Sequence, residues 1–354
     1  MSNVAQRGKV QTVLGAIDPS QLGPVMTHEH LLIDFELMFD FDSRIKKDSR
    51  IKDLSTKPVS IENLGLIRQY VYSNLDNLTL ADKEVAVKEA EQYKSSGGGT
   101  IVDATTIGIG RDPKGLEYIS EKSGVNIVMG AGYYVEASHS KETSNLSENE
   151  ISNQIIKDIQ VGVDDTSIKA GIIGEIGCTW PLTKNEKKIL NGAGKAQIET
   201  GAAILIHPGR NENAPIEILN ILKNAGADLT RVIIGHLDRV TFDIRKLKEI
   251  ASSGCFLEWD LFGTEVSFYQ LSDFEMPNDT MRMDIIKAMT DEGFGEKIVI
   301  SHDICTKHRL LKYGGHGYGY ILNEIVPRMY KKDFSAMEIK NIIENNASAI
   351  LPIQ

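Results

Sequence analysis

With 354 residues, 41% of them hydrophobic and 25% charged, the chain has the make-up of a globular enzyme and the length for one large barrel with insertions. A net charge of −10 argues against nucleic acid as a bulk partner, although local cations can still bind a small anion. Three scattered cysteines without a Cys-x-x-Cys pair, a polar start and no apolar run of membrane-spanning length give the expectation of a cytoplasmic protein with reduced thiols and no membrane partner.

Eight short apolar runs alternate with amphipathic stretches. In chain order they are VMTHEHLLI (25–33), GGTIVDATT (98–106), VNIVMGAGYY (125–134), AGIIGEIG (170–177), AAILIHPGR (202–210), RVIIGHLDR (231–239), GCFLEWDLFG (254–263) and KIVISHDI (297–304). Each is near-continuous and rich in β-branched residues, as buried parallel strands are. Between them, a helix is expected from Leu80 to Tyr93, after a Thr79-x-x-Asp82 cap and before the glycines at 97–99. Another is expected from Asn185 to Glu199, opened by the capping box Thr183-x-x-Glu186 and stopped at Gly201.

Strict strand–helix alternation predicts an α/β fold, a TIM (β/α)8 barrel, with residues 1–354 as one domain. An open doubly wound sheet would show a glycine-rich phosphate loop after its first strand, where this chain has THEHLLID. Three segments stand outside the pattern: a long insert at 34–78 after strand 1, a polar stretch at 136–150, and a glycine- and tyrosine-rich loop at 305–320 after strand 8. All three are expected on the face that carries barrel active sites, as walls or lids of a pocket.

That face collects the groups with chemistry. His28 and His30 stand two apart on strand 1, so both imidazoles point to one side. Glu175, His207, His236 and Asp303 lie at the ends of strands 4, 5, 6 and 8. A lone histidine on a strand is usually a packed residue; six donors converging from five strands are hard to explain by packing. Nitrogen and oxygen ligands of this kind suit zinc, with manganese, iron or cobalt as alternatives.

The motifs THEH, GEIG, HPGR, GHLDR and SHD, in this order and spacing, resemble the phosphotriesterase family of the amidohydrolase superfamily over nearly the whole chain. Longer strings, GKVQTVLG, GIIGEIGCTWPLT, EWDLFGTE and KYGGHGY, are similar to its phosphotriesterase-related branch. The resemblance implies two divalent metal ions. His28, His30 and Asp303 would hold the buried ion, His207 and His236 the more exposed one, and Glu175 would bridge them. Founding members bridge their metals with a carboxylated lysine, whereas Glu175 is anionic without modification. Lys169 lies six residues upstream, roughly 20 Å along an extended strand, and is read as structural. The implied activity is hydrolysis of the amide bond of N-acetyltaurine and related N-acetyl amino acids by a metal-bridging hydroxide, with Asp303 as the catalytic proton shuttle. The alternative is a lactonase or phosphotriesterase acting on neutral esters. A metal-stabilised binding scaffold is a third reading, and the complete donor set argues against it.

Arg210, Arg239 and Arg111 follow strands 5, 6 and 2, and cations on that rim suit a carboxylate or sulfonate. The expected partner is a small anionic N-acylated substrate; a homodimer is open to the chain. Of Tyr133 and Tyr134, one is expected to line the pocket and the other to lie beneath a helix, with Tyr133 taken as the substrate-binding candidate. His316, in YGGHGY, is a further candidate. Asp238, two after His236, is expected either to face inward and orient a ligand or water or to cap a helix or loop. His302 is read as structural. Glu258 and Asp260 can face the interior, without an assigned role.

Overall fold

A computed structural model of the chain describes residues 7–40, 54–266, 269–272 and 275–354. Part of the insert at 34–78, residues 41–53, lies outside that range. Eight parallel strands form one sheet: β1 Val25–Glu29, β2 Thr100–Asp103, β3 Asn126–Ala131, β4 Ile172–Gly177, β5 Ile204–His207, β6 Val232–Ile234, β7 Phe256–Trp259 and β8 Ile298–Ile300. Each is hydrogen-bonded to the next in chain order. The sheet curls into a nearly closed barrel, with β8 meeting β1: the Asp303 N–H donates to the His28 carbonyl at 3.0 Å, and the His28 N–H donates to the Ser301 hydroxyl at 3.0 Å.

Two apolar layers explain why the strand sequences are near-continuous. Val25, Val102, Val128, Leu205, Ile233 and Val299 fill the barrel's interior. Their neighbours Met26, Ile101, Ile127, Ile206, Ile234 and Ile300 face the helices. Each fully buried aliphatic side chain contributes about 1.5–3 kcal/mol by leaving water.

The helical layer includes α1 Lys83–Ser95, α2 Pro113–Ser123, α3 Glu148–Gln160, α4 Lys184–Thr200, α5 Ala214–Asn224, α6 Ile244–Ala251 and α7 Asp279–Met289. α4 starts as expected: Thr183 Oγ1 accepts from the Glu186 N–H at 3.1 Å, and Glu186 returns the bond to the Thr183 N–H at 3.1 Å. Gly201, with φ +69°, ends it. α1 starts later than its expected Leu80. Asp82 itself is the N-cap, accepting from Glu84 and Val85, while Thr79–Leu80 pairs antiparallel with Ile33–Asp34. A carboxylate one residue before the helix outcompetes a threonine four before it, because only the nearer oxygen reaches the free N–H groups.

Residues 136–150 do not form a wall of the pocket. They fold into short helical turns and the start of α3, tied to α4 by Asn185 to Glu136, Lys188 to the Ser144 carbonyl and Asn191 to Glu148. No helix among the described residues is long and apolar enough to cross a membrane.

Candidate metal centre

A cavity of about 690 Å³ opens at the carboxyl end of the barrel. Its floor is built around Glu175, which Gly174 delivers to the interior. Gly174 has φ +129°, and a Cβ there would run into the Leu205 carbonyl, so no other residue fits before the glutamate.

Glu175 meets four imidazoles. Its Oε2 lies 2.9 Å from His207 Nδ1, 3.3 Å from His28 Nε2 and 3.5 Å from His236 Nε2. Its Oε1 lies 3.4 Å from His30 Nε2, which is also 3.2 Å from Asp303 Oδ1. All six expected donors therefore converge. His236 and Asp303 do so from beyond the ends of β6 and β8, each in the left-handed region at φ +54° and +52°. Such backbone costs on the order of 1–3 kcal/mol per residue and marks sites held for function.

The donor set fits metal ions. His28 Nε2 is buried, and its 3.3 Å approach to Glu175 Oε2 does not amount to a hydrogen bond. His236 Nε2 and His207 Nδ1 face each other at 2.8 Å. Among the described residues three groups, His28–His30–Glu175, Glu175–His207–His236 and His28–His236–Asp260, bring their ligand atoms within 4.8 Å of one another. The electrostatics agree. Burial alone would lower the His28 pKa, but Glu175 and Asp260 hold it well above the usual histidine value. Burial likewise opposes, and Asp303 and Glu175 outweigh it, in raising His30 to about 9. Burial would raise Glu175, yet His28 and His207 hold it well below the carboxylate range. Without a cation, His28 and His30 favour protons where positive charge is wanted, whereas burial, then His236 and Arg239, hold His207 well below the usual histidine value.

The groups that aim the histidines are partly those left unassigned in the sequence. Asp260 Oδ1 lies 2.7 Å from His236 Nδ1, its Oδ2 lies 3.1 Å from His28 Nδ1, and it accepts the His236 N–H at 2.8 Å. Glu258 Oε2 is 3.3 Å from His28 Nδ1, and Thr105 Oγ1 is 2.9 Å from His30 Nδ1. With Nδ1 engaged in His28, His30 and His236, their Nε2 atoms remain for a ligand role, whereas His207 turns its Nδ1 to the cluster.

The sequence profile of the phosphotriesterase family matches residues 8–351. A protein of Dictyostelium discoideum named N-acetyltaurine hydrolase is 46% identical, over 98% of this chain and 98% of its own. One of that name from Xenopus tropicalis is also 46% identical, over 96% of each. The crystal structure of a resiniferatoxin-binding protein from Rhodobacter sphaeroides superposes with a TM-score of 0.94 at 32% identity, covering 100% of this chain and 98% of that one.

The chain belongs to the phosphotriesterase family. It is a metal-dependent hydrolase, and the phosphotriesterase barrel accounts for the placement of its donors at the strand ends.

Around this phosphotriesterase-type centre, some expected residues hold their places and others do not. Arg210 lines the cavity, its Nε donating to the Tyr269 hydroxyl at 2.7 Å. Arg239 lines it too, donating to the Pro208 carbonyl at 3.0 Å, with its other terminal nitrogen 2.9 Å from His207 Nε2. Burial, then Arg210, lower the Arg239 pKa below the usual guanidinium value. His316 also lines the cavity, its ring 4.8 Å from that of Tyr320.

Arg111 is not on the rim: it pairs with Asp158 at 2.8 Å and with Asp164 at 3.3 Å, on α3 and just after it. Tyr133 does not line the cavity either; Tyr134 does, its hydroxyl 3.4 Å from His207 Nδ1. β3 ends at Ala131, and Gly132 turns the chain at φ +117°, so the faces assigned by strand alternation exchange. Among the described residues Asp238 forms no hydrogen bond or ion pair with a histidine. It accepts from the Leu261 N–H at 2.9 Å and from Arg282 Nε at 2.9 Å, because the left-handed turn at His236 breaks the two-residue period. His302, read as structural, does not line the cavity. The loop after β7 was missed: Leu261, Thr264, Val266, Tyr269 and Met276 form a wall for which local polarity gave no signal.

Proposed function

We propose that the chain hydrolyses the amide bond of N-acetyltaurine and related N-acetyl amino acids. The observation that carries this reading is the pair Arg210, half-buried, and Arg239, buried, which line the cavity beside the histidine–carboxylate cluster and pair with no carboxylate among the described residues. Two neighbouring cations on a cavity wall favour an anion between them, and a guanidinium fork matches a sulfonate or carboxylate. The N-acetyltaurine hydrolases, 46% identical over nearly full length, support the same choice.

His28, His30 and Asp303 would hold the deeper cation and His207 and His236 the other, with Glu175 shared between the two sites. Two divalent ions, zinc by the donor chemistry, would supply an acidified water and a Lewis acid for the scissile carbonyl. The residues do the rest. Arg210 or Arg239 holds the anion and so fixes the amide over the cluster. Tyr134 closes the side of His207. The Asp303 carboxylate accepts a proton from the attacking water and returns it to the amine nitrogen, which leaves poorly unless protonated.

The outer wall, with Phe35, Met38, Val266 and Met276, would also receive an apolar ester. A screen of metal-loaded protein against N-acetyltaurine, N-acetyl amino acids, lactones and a paraoxon-like triester separates the readings. Preference for the N-acetyl anions is expected; preference for the neutral esters would overturn the proposal.

A further inference from the structure

Asp303 rests in a backbone conformation that side chains disfavour, three residues past the end of β8. Its own backbone is tied on both sides: its N–H donates to the His28 carbonyl at 3.0 Å, and its carbonyl accepts from Arg309 at 2.8 Å. A single buried carboxylate grips the residues that flank it. Glu29 Oε1 accepts from the Ser301 hydroxyl at 2.8 Å and the His302 N–H at 2.9 Å, and Oε2 accepts from the Ile304 N–H at 2.9 Å. His302 Nδ1 is also 2.6 Å from Oε1. His302 Nε2 accepts from the Ile321 N–H at 3.1 Å, which leaves the ring proton on Nδ1, facing Glu29.

Glu29 and His302 do not line the cavity, and Glu29 belongs to none of the ligand groups. A buried carboxylate is costly, and an apolar side chain could fill the same space. What an apolar residue could not do is bind the N–H groups on either side of Asp303 at once. We propose that Glu29 and His302 are positioning residues that hold the Asp303 carboxylate where it hands its proton to the leaving amine. The inference rests on the role given to Asp303 above.

The test compares two leaving groups on the metal-loaded, full-length protein. The amine of N-acetyltaurine needs a proton to leave. The phenolate of para-nitrophenyl acetate does not. Glu29→Gln keeps the shape but sets an NH2 group against one of the donors. His302→Gln keeps an acceptor for Ile321 and loses the bond to Glu29. Both variants are expected to lower kcat on the amide about tenfold to a hundredfold, with KM and metal content unchanged and the ester rate changed by less than about threefold. His302→Asn, whose side-chain N–H takes the place of Nδ1, should restore most of the amide rate. A merely structural role would move both substrates together and would gain nothing from asparagine. Asp303→Asn, compared with the parent at equal metal content because Asp303 is also a ligand candidate, sets the scale. If it loses the amide selectively while folded, metal-replete Glu29→Gln and His302→Gln keep the parent's amide-to-ester ratio, the positioning role is overturned. If Asp303→Asn itself keeps that ratio, the reading of Asp303 is what falls, and this inference falls with it.

Discussion

Replacing Arg210 by alanine removes a cation that borders the cavity and has one of its donors committed. Its Nε serves the Tyr269 hydroxyl, which holds the guanidinium in place, and the terminal nitrogens remain for an anion. Arg239 is bound differently, to the Pro208 carbonyl and beside His207, so Arg210 is the stronger candidate for the anchor. A charge-assisted pair in such a partly buried site is worth about 1.5–3 kcal/mol. In kcat/KM for N-acetyltaurine that is roughly a tenfold to more than a hundredfold loss. The loss should fall chiefly on KM if the pair is equally strong in ground and transition states. Arg210→Lys should recover only part, because the ammonium lacks the fork. The assay is steady-state hydrolysis of N-acetyltaurine beside a neutral N-acetyl amine of similar size. The neutral compound should be a poor substrate of the parent and nearly indifferent to the substitution. If Arg210→Ala, Arg239→Ala and the double variant all keep the parent's preference for the anion, the charge argument is refuted.

Metal analysis should find close to two divalent ions per chain, with activity lost on complete chelation and most of it lost in Glu175→Ala; metal reloading that depends on bicarbonate would point to a carboxylated lysine instead. Asp260→Asn, which weakens the hold on His28 and His236 together, should lower metal affinity about tenfold to a hundredfold, whereas Asp238→Asn should leave it unchanged and appear only as a lower Tm. Metal uptake should also depend on pH with a definite sign. Asp303 and Glu175, against burial, raise His30 to about 9 in the metal-free chain, so below that pH the metal must displace its proton. Apparent affinity should therefore rise with pH through neutrality, by about tenfold per unit for each proton displaced, with the His30 contribution ending above about 9. Titrations showing weaker binding as pH rises through neutrality would contradict this.

The sequence by itself determined the barrel and the floor of its cavity. Eight β-branched runs between amphipathic stretches leave a parallel barrel as the economical way to bury both strand faces. The six donors were legible because a barrel turns position at a strand's end into position in space, so one-dimensional spacing carried three-dimensional meaning. That rule stops where the strand stops. Past Ala131 and Ile234, Gly132 and His236 take positive φ, and alternation no longer says which way Tyr133, Tyr134 or Asp238 points. Arg111 failed for a related reason: it follows a strand, yet Asp158 on α3 draws it into a buried pair, and no local pattern reports a partner 47 residues away. Asp260, Glu258 and Glu29 read in sequence as ordinary acidic residues within apolar strands. Only closure of the barrel, which sets β1 against β8 and β7 against β6, brings Asp260 and Glu258 onto the histidines and Glu29 onto the residues that flank Asp303. Strand periodicity is a local property of the backbone and is written in the sequence; which buried carboxylate meets which imidazole depends on long-range packing and is decided only in the folded chain.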